Sequence, residues 1–245
     1  MNVYRDLDNL PKFRNGVATM GSFDGVHEGH RELLRRVMEL SREFGGESIV
    51  LTFDPHPRYV LGTGDRMQLL TTLDEKLWLL EQAGIDNVIV ITFTAELSHL
   101  SPQEFIEQGI ARLGLRGMVV GYNHRFGYKK EGDYDFLESR ECGFEVFRVE
   151  QHQVASSKVS STIIRQALSR GMLDKAARLL GHPYVVACEL QSTGEVVIDR
   201  NKLLPPAGCY AARVNGQIGE VTIGAEREVS FSVKPVDGKV IVEFI

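Results

Sequence analysis

A glycine-rich string between an apolar run and an amphipathic stretch is the feature that most constrains this chain of 245 residues. Residues 16–20 are apolar enough for a buried strand, and residues 31–44 repeat apolar side chains at helical spacing. The string that joins them, residues 20–30, reads Met-Gly-Ser-Phe-Asp-Gly-Val-His-Glu-Gly-His. We therefore expect a strand–loop–helix junction at the carboxyl edge of an open α/β sheet, where ligands bind.

The residue types of this string favour the binding of phosphate. Gly21, Gly25 and Gly29 let backbone amides approach an anion without an intervening Cβ. The start of the next helix adds unpaired N–H groups and a partial positive charge. His27 and His30 fall on the same side of that helix start, and each can donate to a phosphate oxygen. A tight turn with two surface histidines is the alternative.

The complete pattern is more specific than either histidine alone. Gly-x-Phe-Asp-x-x-His-x-Gly-His resembles the signature of the nucleotidylyltransferase superfamily. Members of that superfamily attack the α-phosphate of a nucleoside triphosphate and release pyrophosphate. The resemblance implies a reaction class and leaves the acceptor open.

Composition excludes several other classes of protein. The chain is 43% hydrophobic and 25% charged, which is typical of a globular protein with a core. A net charge of −5 without a basic stripe argues against nucleic acid as a partner. Three cysteines without metal-like spacing predict reduced thiols, and no signal peptide or membrane span is read. We expect a cytoplasmic protein with no membrane partner.

Further strands and helices alternate along the first two thirds of the chain. Apolar runs at 48–53, 87–93, 118–121 and 144–149 predict strands. Residues 70–83 predict a helix with a Thr72/Glu75 capping box, and Ser101 precedes a helix that reaches about residue 113. Strands that are apolar throughout and alternate with helices predict a parallel sheet covered on both faces, a Rossmann-like α/β fold.

Three later segments add candidate site residues. Asp54-Pro55-His56-Pro57-Arg58 holds a histidine between prolines, although it also serves as a simple stop signal for a strand. Residues 121–127, Gly-Tyr-Asn-His-Arg-Phe-Gly, offer an aromatic ring, an amide and a cation for a planar ligand with a phosphate. The alternative is that the aromatic ring plugs the core. After the polar run 151–158, Ser160 or Ser161 caps a helix, and Arg165 follows one turn later.

Taken in order, these strings resemble the adenylyltransferase module of bacterial bifunctional FAD synthetase, which combines riboflavin kinase and FMN adenylyltransferase. The resemblance covers about residues 12–183, and one departure is His124, where the family usually has Phe. It implies that FMN attacks ATP to give FAD and pyrophosphate, with Mg²⁺ bridging the phosphates. The protein ligand of Mg²⁺ is unknown, and Asp24 is a candidate that equally suits orienting the loop.

The resemblance also implies roles for individual residues. His27, His30 and Arg165 are the predicted catalytic residues. The predicted ATP-binding residues are Gly21, Ser22, Phe23, Asp24, Gly25, His27, Gly29, His30, Ser160, Ser161, Thr162 and Arg165. The predicted FMN-binding residues are His56, Pro57, Asn123, Arg125 and Phe126.

From residue 184 the pattern changes to six short alternating strands separated by Gly and Asn turns, which predicts a small antiparallel β module. Residues 203–211 resemble the strand entry of the family's riboflavin kinase barrel. The Gly-Arg-x-x-Gly and Pro-Thr-Ala-Asn segment that holds ATP and magnesium there is absent, and the chain ends before the family's catalytic glutamate and closing helix. We therefore expect an adenylyltransferase domain over 1–183 and a truncated kinase-like module over 184–245 without kinase activity, so that a separate riboflavin kinase supplies FMN.

Two alternatives remain open at this point. One is a nucleotidylyltransferase acting on another phosphorylated small molecule. The other is a non-catalytic flavin-binding regulatory protein.

Overall fold

The computed structural model describes residues 1–5, 7, 9–64, 67–139, 142–150, 159–236 and 238–245. The predicted polar run 151–158 lies outside the described residues. The chain divides into two compact units. The first comprises 1–23, 30–66 and 80–157, and the second comprises 24–29, 67–79 and 158–245.

A parallel six-stranded sheet forms the first unit. Its strands are β1 (Asn2–Tyr4), β2 (Val17–Met20), β3 (Ser48–Asp54), β4 (Asn87–Thr92), β5 (Gly117–Gly121) and β6 (Glu145–Val149). They lie in the order β1-β4-β3-β2-β5-β6, with every neighbouring pair parallel. The order reverses at β2, so the carboxyl ends of β2 and β5 mark the switch point at which such sheets bind ligands.

Apolar side chains cover both faces of this sheet, because alternate residues of each strand point to opposite faces. On one face, Ala18 and Met20 pack with Ile106 and Ile110. On the other, Val17 packs with Val37 and Leu40 of helix α1 (Glu28–Glu43). The predicted Rossmann-like parallel sheet with helices on both faces is confirmed.

The remaining helices are mostly short. They are α2 (Pro57–Val60), α3 (Leu73–Gln82), α4 (Ala95–Ser98), α5 (Pro102–Phe105), α6 (Tyr134–Glu138), α7 (Ser161–Ser169) and α8 (Leu173–Leu180). The predicted helix after Ser101 begins with a capping box, but α5 gives way to a π-helical turn at Ile106–Ile110 and a 3₁₀ turn at Ala111–Leu113. Tyr128–Lys130 forms a further 3₁₀ turn.

The second unit contains an antiparallel sheet with strands in the order β11-β10-β9-β12-β7-β8. The strands are β7 (Tyr184–Leu190), β8 (Val196–Val197), β9 (Gly208–Val214), β10 (Gln217–Ile223), β11 (Val229–Phe231) and β12 (Gly238–Phe244). This sheet shares a core with Ile164 and Leu168 of α7 and Ala176 and Leu180 of α8. The predicted antiparallel β module is confirmed, whereas its assignment to residues 184–245 as a separate domain stays a prediction.

No helix in the described part of the chain combines the length and the apolar character needed to cross a membrane.

Candidate active site

The glycine-rich string leaves β2 at the switch point of the parallel sheet. Gly21 N donates to Leu51 O of the neighbouring strand at 3.1 Å, which carries the strand pairing one residue past β2. Phe23 is 1% exposed and has a φ of +47°, so the chain turns sharply there. The ring of Phe23 contacts the ring of His30, with centroids 5.0 Å apart. An aromatic side chain of the loop thus supports one of the two predicted catalytic histidines.

Helix α1 begins earlier than its apolar pattern predicts. It starts at Glu28 and not at residue 31, so Gly29 and His30 belong to its first turn. The first four amides of a helix have no partner within it, and they point toward the end where the positive pole lies. The glycine-rich loop therefore ends on a helix N-terminus that is suited to an anion.

His27 precedes this helix and is 9% exposed. Burial lowers the pKa of His27 from 6.5 to about 4, against the opposing effect of the nearby Asp24 carboxylate. The imidazole is therefore neutral at pH 7, with one nitrogen that donates and one that accepts. A neutral His27 offers a hydrogen bond to a phosphate and does not offer a full positive charge.

Asp24 has both carboxylate oxygens engaged inside the second unit. Its Oδ1 accepts from Leu70 N at 2.9 Å and from Thr71 N at 3.0 Å, and its Oδ2 accepts from Arg165 Nη2. Its carbonyl oxygen accepts from Ser161 Oγ at 3.0 Å. These contacts favour the loop-orienting role of Asp24 over the role of magnesium ligand.

No cluster of three or more His, Cys, Asp or Glu side chains able to hold a metal ion occurs among the described residues. Among the described residues, the one magnesium candidate named from the sequence, Asp24, has both carboxylate oxygens engaged by protein donors and so does not fit a resident magnesium ion.

Both backbone hydrogen-bonding groups of Gly25 have partners. Its N–H donates to Thr71 Oγ1 at 2.9 Å, and its carbonyl oxygen lies 3.1 Å from His182 Nε2. Its φ is +87°, and a Cβ there would lie 2.9 Å from Leu70 Cδ1. Only glycine satisfies both the backbone conformation and the close approach of Leu70.

The start of α7 carries the third group of predicted residues. Ser160 is the N-cap, and its side chain accepts from Ile163 N at 3.4 Å. Ser161 bonds to Asp24 as described, whereas Thr162 is exposed. Arg165 Nε donates to Gln68 O at 2.7 Å, so two nitrogens of its guanidinium bind inside the protein. Asp24, Ser161 and Arg165 are thus brought together in one hydrogen-bonded cluster.

The predicted flavin-side residues follow β3 and β5, which flank β2 in the sheet. His56 is the N-cap of α2, and its Nδ1 accepts from Arg58 N at 3.2 Å, so the stretch after β3 turns into a short helix. Pro57 is the first residue of α2. Asn123 is exposed, and Arg125 pairs with Asp133.

Phe126 is 7% exposed and belongs to the core of the parallel sheet. Its ring lies 6.0 Å from that of Phe105 and 6.1 Å from that of Phe136, measured between centroids. This packing favours the alternative in which the aromatic plugs the core. His124 stacks on Phe126 at 5.7 Å, and burial lowers its pKa to about 4.

Sequence reasoning missed the groups that hold Asp24 and Gly25 within the second unit. Thr71, His182 and Lys202 were not singled out. The Thr72/Glu75 capping box is present, with Thr72 N donating to Glu75 Oε2 at 2.8 Å. The capping pattern was the one sequence signal near this cluster.

Comparison with known proteins identifies the family of the chain. The family model described as FAD synthetase matches residues 10–163. The chain belongs to the FAD synthetase family. The predicted family is thereby confirmed for the part of the chain that carries the glycine-rich loop and both histidines.

Relatives from two bacteria are described as bifunctional riboflavin kinase/FMN adenylyltransferase. The protein from Listeria monocytogenes is 35% identical over 227 residues, which span 86% of this chain and 72% of the relative. The protein from Escherichia coli K12 is 33% identical over 235 residues, which span 90% of this chain and 75% of the relative. The two alignments therefore extend past the residues matched by the family model.

A solved structure described as a macrolide-efflux protein from Streptococcus pneumoniae superimposes with a TM-score of 0.82 at 23% identity. The superposition covers 99% of this chain and 88% of that one, so the two proteins share a fold.

Proposed function

We propose that this member of the FAD synthetase family is an FMN adenylyltransferase, which transfers AMP from ATP to FMN to give FAD and pyrophosphate. The observation that carries the proposal is the family match over residues 10–163, which includes the glycine-rich loop at the switch point of the sheet. The predicted nucleotidyltransferase class has the same support.

In the proposed reaction a phosphate oxygen of FMN attacks the α-phosphorus of ATP. The bond between that phosphorus and the oxygen bridging to the β-phosphate breaks, and pyrophosphate leaves. No covalent intermediate on the protein is needed, so catalysis depends on orientation and on neutralising charge. Orientation of this kind can lower a barrier by about 7–11 kcal/mol.

Apart from Phe126, which lies in the core, and Asp24, which orients the loop, the site residues keep their predicted roles in this proposal. The catalytic residues are His27, His30 and Arg165. The neutral His27 would donate a hydrogen bond to the triphosphate, and His30 would do so from the first turn of α1. Ser160, Ser161, Thr162 and Arg165 would hold the β- and γ-phosphates, and Mg²⁺ would arrive bound to ATP as part of the substrate.

FMN would lie against residues that follow β3 and β5. His56, Pro57, Asn123 and Arg125 are the groups we assign to it. Phe126 would support this surface from the core and not by direct stacking, given its 7% exposure.

We also propose that the β module over 184–245 lacks riboflavin kinase activity. The support comes from the sequence itself, since the Gly-Arg-x-x-Gly and Pro-Thr-Ala-Asn segment expected between Tyr184 and Pro205 is missing. In its place β7 leads through a turn to the two-residue β8 and then to Lys202. FMN would then come from a separate riboflavin kinase.

A chromatographic assay tests both proposals. The full chain is incubated with MgATP and either FMN or riboflavin, and flavin products are separated. We expect FAD from FMN, no product from riboflavin, and loss of FAD formation in His30→Ala. His99→Ala, which removes an exposed histidine, is the matched control and should keep full activity.

Each other outcome of this assay is informative. FMN formed from riboflavin would show that the β module is a working kinase. No product in either tube, with flavin retained by the purified protein, would overturn the enzyme proposal in favour of a regulatory flavin-binding protein.

A further inference from the structure

Lys202 is a lysine that the proposed reaction does not use, and it is completely buried. Its Nζ donates to Glu75 Oε2 at 2.6 Å, to Leu70 O at 2.5 Å and to Val185 O at 2.6 Å. The side chains of Lys202 and Glu75 are both 0% exposed. The three acceptors match the three protons of an ammonium group, so the charge is fully satisfied.

A buried ion pair of this kind is a weak source of stability. Taking both charges out of water costs several kcal/mol per ion by order of magnitude, and well-packed apolar residues often do as well. Lysine is among the residue types least often buried. The role of the pair is therefore to be sought in the backbone segments that it positions.

Backbone pairing extends the contact between Lys202 and the segment 69–71. Leu69 N donates to Asn201 O at 2.7 Å, and Leu203 N donates to Leu69 O at 2.9 Å. Leu69 and Lys202 thus form a parallel bridge outside the named strands. Together with the Nζ bond to Leu70 O, these contacts hold one side of the segment 69–71.

The other side of the same segment holds the glycine-rich loop. Leu70 N and Thr71 N donate to Asp24, and Thr71 Oγ1 accepts from Gly25 N. The carbonyl oxygen of Leu70 therefore accepts a hydrogen bond from Lys202, and its amide donates one to Asp24. Two consecutive hydrogen bonds connect the buried ammonium group to the loop that carries His27.

A second connection runs from the residue pair that precedes β7. His182 Nε2 lies 3.1 Å from Gly25 O, and His182 Nδ1 lies 2.7 Å from Pro183 O. The loop is thus held from the carboxyl-terminal part of the chain at two points.

We propose that Lys202 is a positioning residue for the ATP-binding loop: its three hydrogen bonds fix the segment 69–71, which in turn fixes Asp24 and Gly25. The residues that replace the kinase motif would then serve the adenylyltransferase site. The inference rests on the proposed function for its kinetic consequence, but its structural consequence is independent of catalysis.

Hydrogen–deuterium exchange on the full chain tests the structural consequence. In Lys202→Met we expect the amides of Gly25, Leu70 and Thr71 to exchange at least tenfold faster, while those of β9 and β10 keep their protection. Lys239→Met is the matched control, because Lys239 forms an exposed ion pair with Asp74 at 3.0 Å. Unchanged exchange at Gly25 in the folded Lys202→Met variant would overturn the proposal.

Steady-state kinetics separate positioning from mere stability. A smaller folded fraction lowers kcat and leaves both KM values unchanged. A displaced ATP loop raises the KM for MgATP, by at least tenfold in our expectation, and leaves the KM for FMN within twofold. A fall in kcat alone would contradict the positioning role. If the parent chain makes no FAD, the proposed function fails, and the exchange experiment still decides the role of Lys202.

A second variant guards against loss of folding. Lys202→Gln with Glu75→Gln removes both charges and keeps groups that can hydrogen bond, so no unpaired charge is buried. We expect it to fold and to show the same local exchange at Gly25, because the shorter amide cannot serve three acceptors. If both variants unfold globally, Lys202 serves folding alone and the proposal is wrong.

Discussion

Arg165 Nη2 donates to Asp24 Oδ2, so a cation from the second turn of α7 neutralises the carboxylate of the glycine-rich loop. The side chain of Asp24 is 3% exposed and that of Arg165 is 16% exposed. The two residues are 141 positions apart, yet each is needed to satisfy the other. Residues 24 and 25 of the glycine-rich loop are thus held by charge as well as by backbone hydrogen bonds.

Removing Arg165 should therefore destabilise the protein. We expect Arg165→Met to lower the free energy of unfolding by about 3 kcal/mol, because it leaves the Asp24 carboxylate buried without its cation. Urea unfolding measures this loss. Lys239→Met, which breaks an exposed pair, should cost less than about 1 kcal/mol. Adding Asp24→Asn to Arg165→Met should restore part of the stability; a loss equal to the sum of the two single variants would contradict the pairing.

Most of the parallel sheet could be predicted from the sequence, because its strands are continuous apolar runs and its helices carry capping residues. β1 could not be predicted, since its three residues are polar or partly exposed and it lies at the edge of the sheet, where it pairs with β4. The π-helical turn at Ile106–Ile110 could not be predicted either, because its apolar pattern is that of an ordinary helix.

The site was predicted less completely, for a physical reason. The glycine-rich loop has a local pattern that sequence reasoning can read. The groups that hold the loop have no such local pattern, because Lys202 and Glu75 are 127 positions apart and a lysine in a sequence is normally taken as solvated. Phe126 shows the same limit, because its residue type alone does not say whether a ring faces a ligand or the core.

The buried His27 predicts a loss of stability in acid. Its pKa is lowered from 6.5 in the unfolded chain to about 4 in the folded protein, so the unfolded chain binds more protons between these values. The contribution of His27 to the free energy of unfolding is fully present above pH 6.5, and on the order of 3 kcal/mol of it is lost as the pH drops to 4. Unfolding free energies measured across this range should show a smaller slope in His27→Gln. The control His99→Gln, at an exposed histidine, should keep the parent slope, and an unchanged slope in His27→Gln would refute the assignment.

Two glycines with similar backbone angles separate strain from crowding. Gly25 has a φ of +87° and Gly194 has a φ of +84°. A Cβ on Gly25 would lie 2.9 Å from Leu70 Cδ1, whereas a Cβ on Gly194 would have no described atom beyond its chain neighbours within 4 Å. We expect Gly194→Ala to cost about 1–2 kcal/mol from backbone strain alone. Gly25→Ala should cost about 1–3 kcal/mol more through overpacking. Equal losses in thermal or urea unfolding would mean that Leu70 moves aside freely.

Phe126 and Asn123 divide the loop after β5 into a part that supports the core and a part that faces solvent. Phe126 packs between Phe105 and Phe136, whereas Asn123 is exposed. We expect Phe126→Leu to lower the free energy of unfolding by about 1–2 kcal/mol and to leave the KM for FMN unchanged. Asn123→Ala should do the reverse, raising the KM for FMN several-fold with a stability change within about 0.5 kcal/mol. A raised KM for FMN in Phe126→Leu at unchanged stability would show that this ring contacts the flavin directly, because only direct stacking would link its loss to FMN binding without disturbing the core.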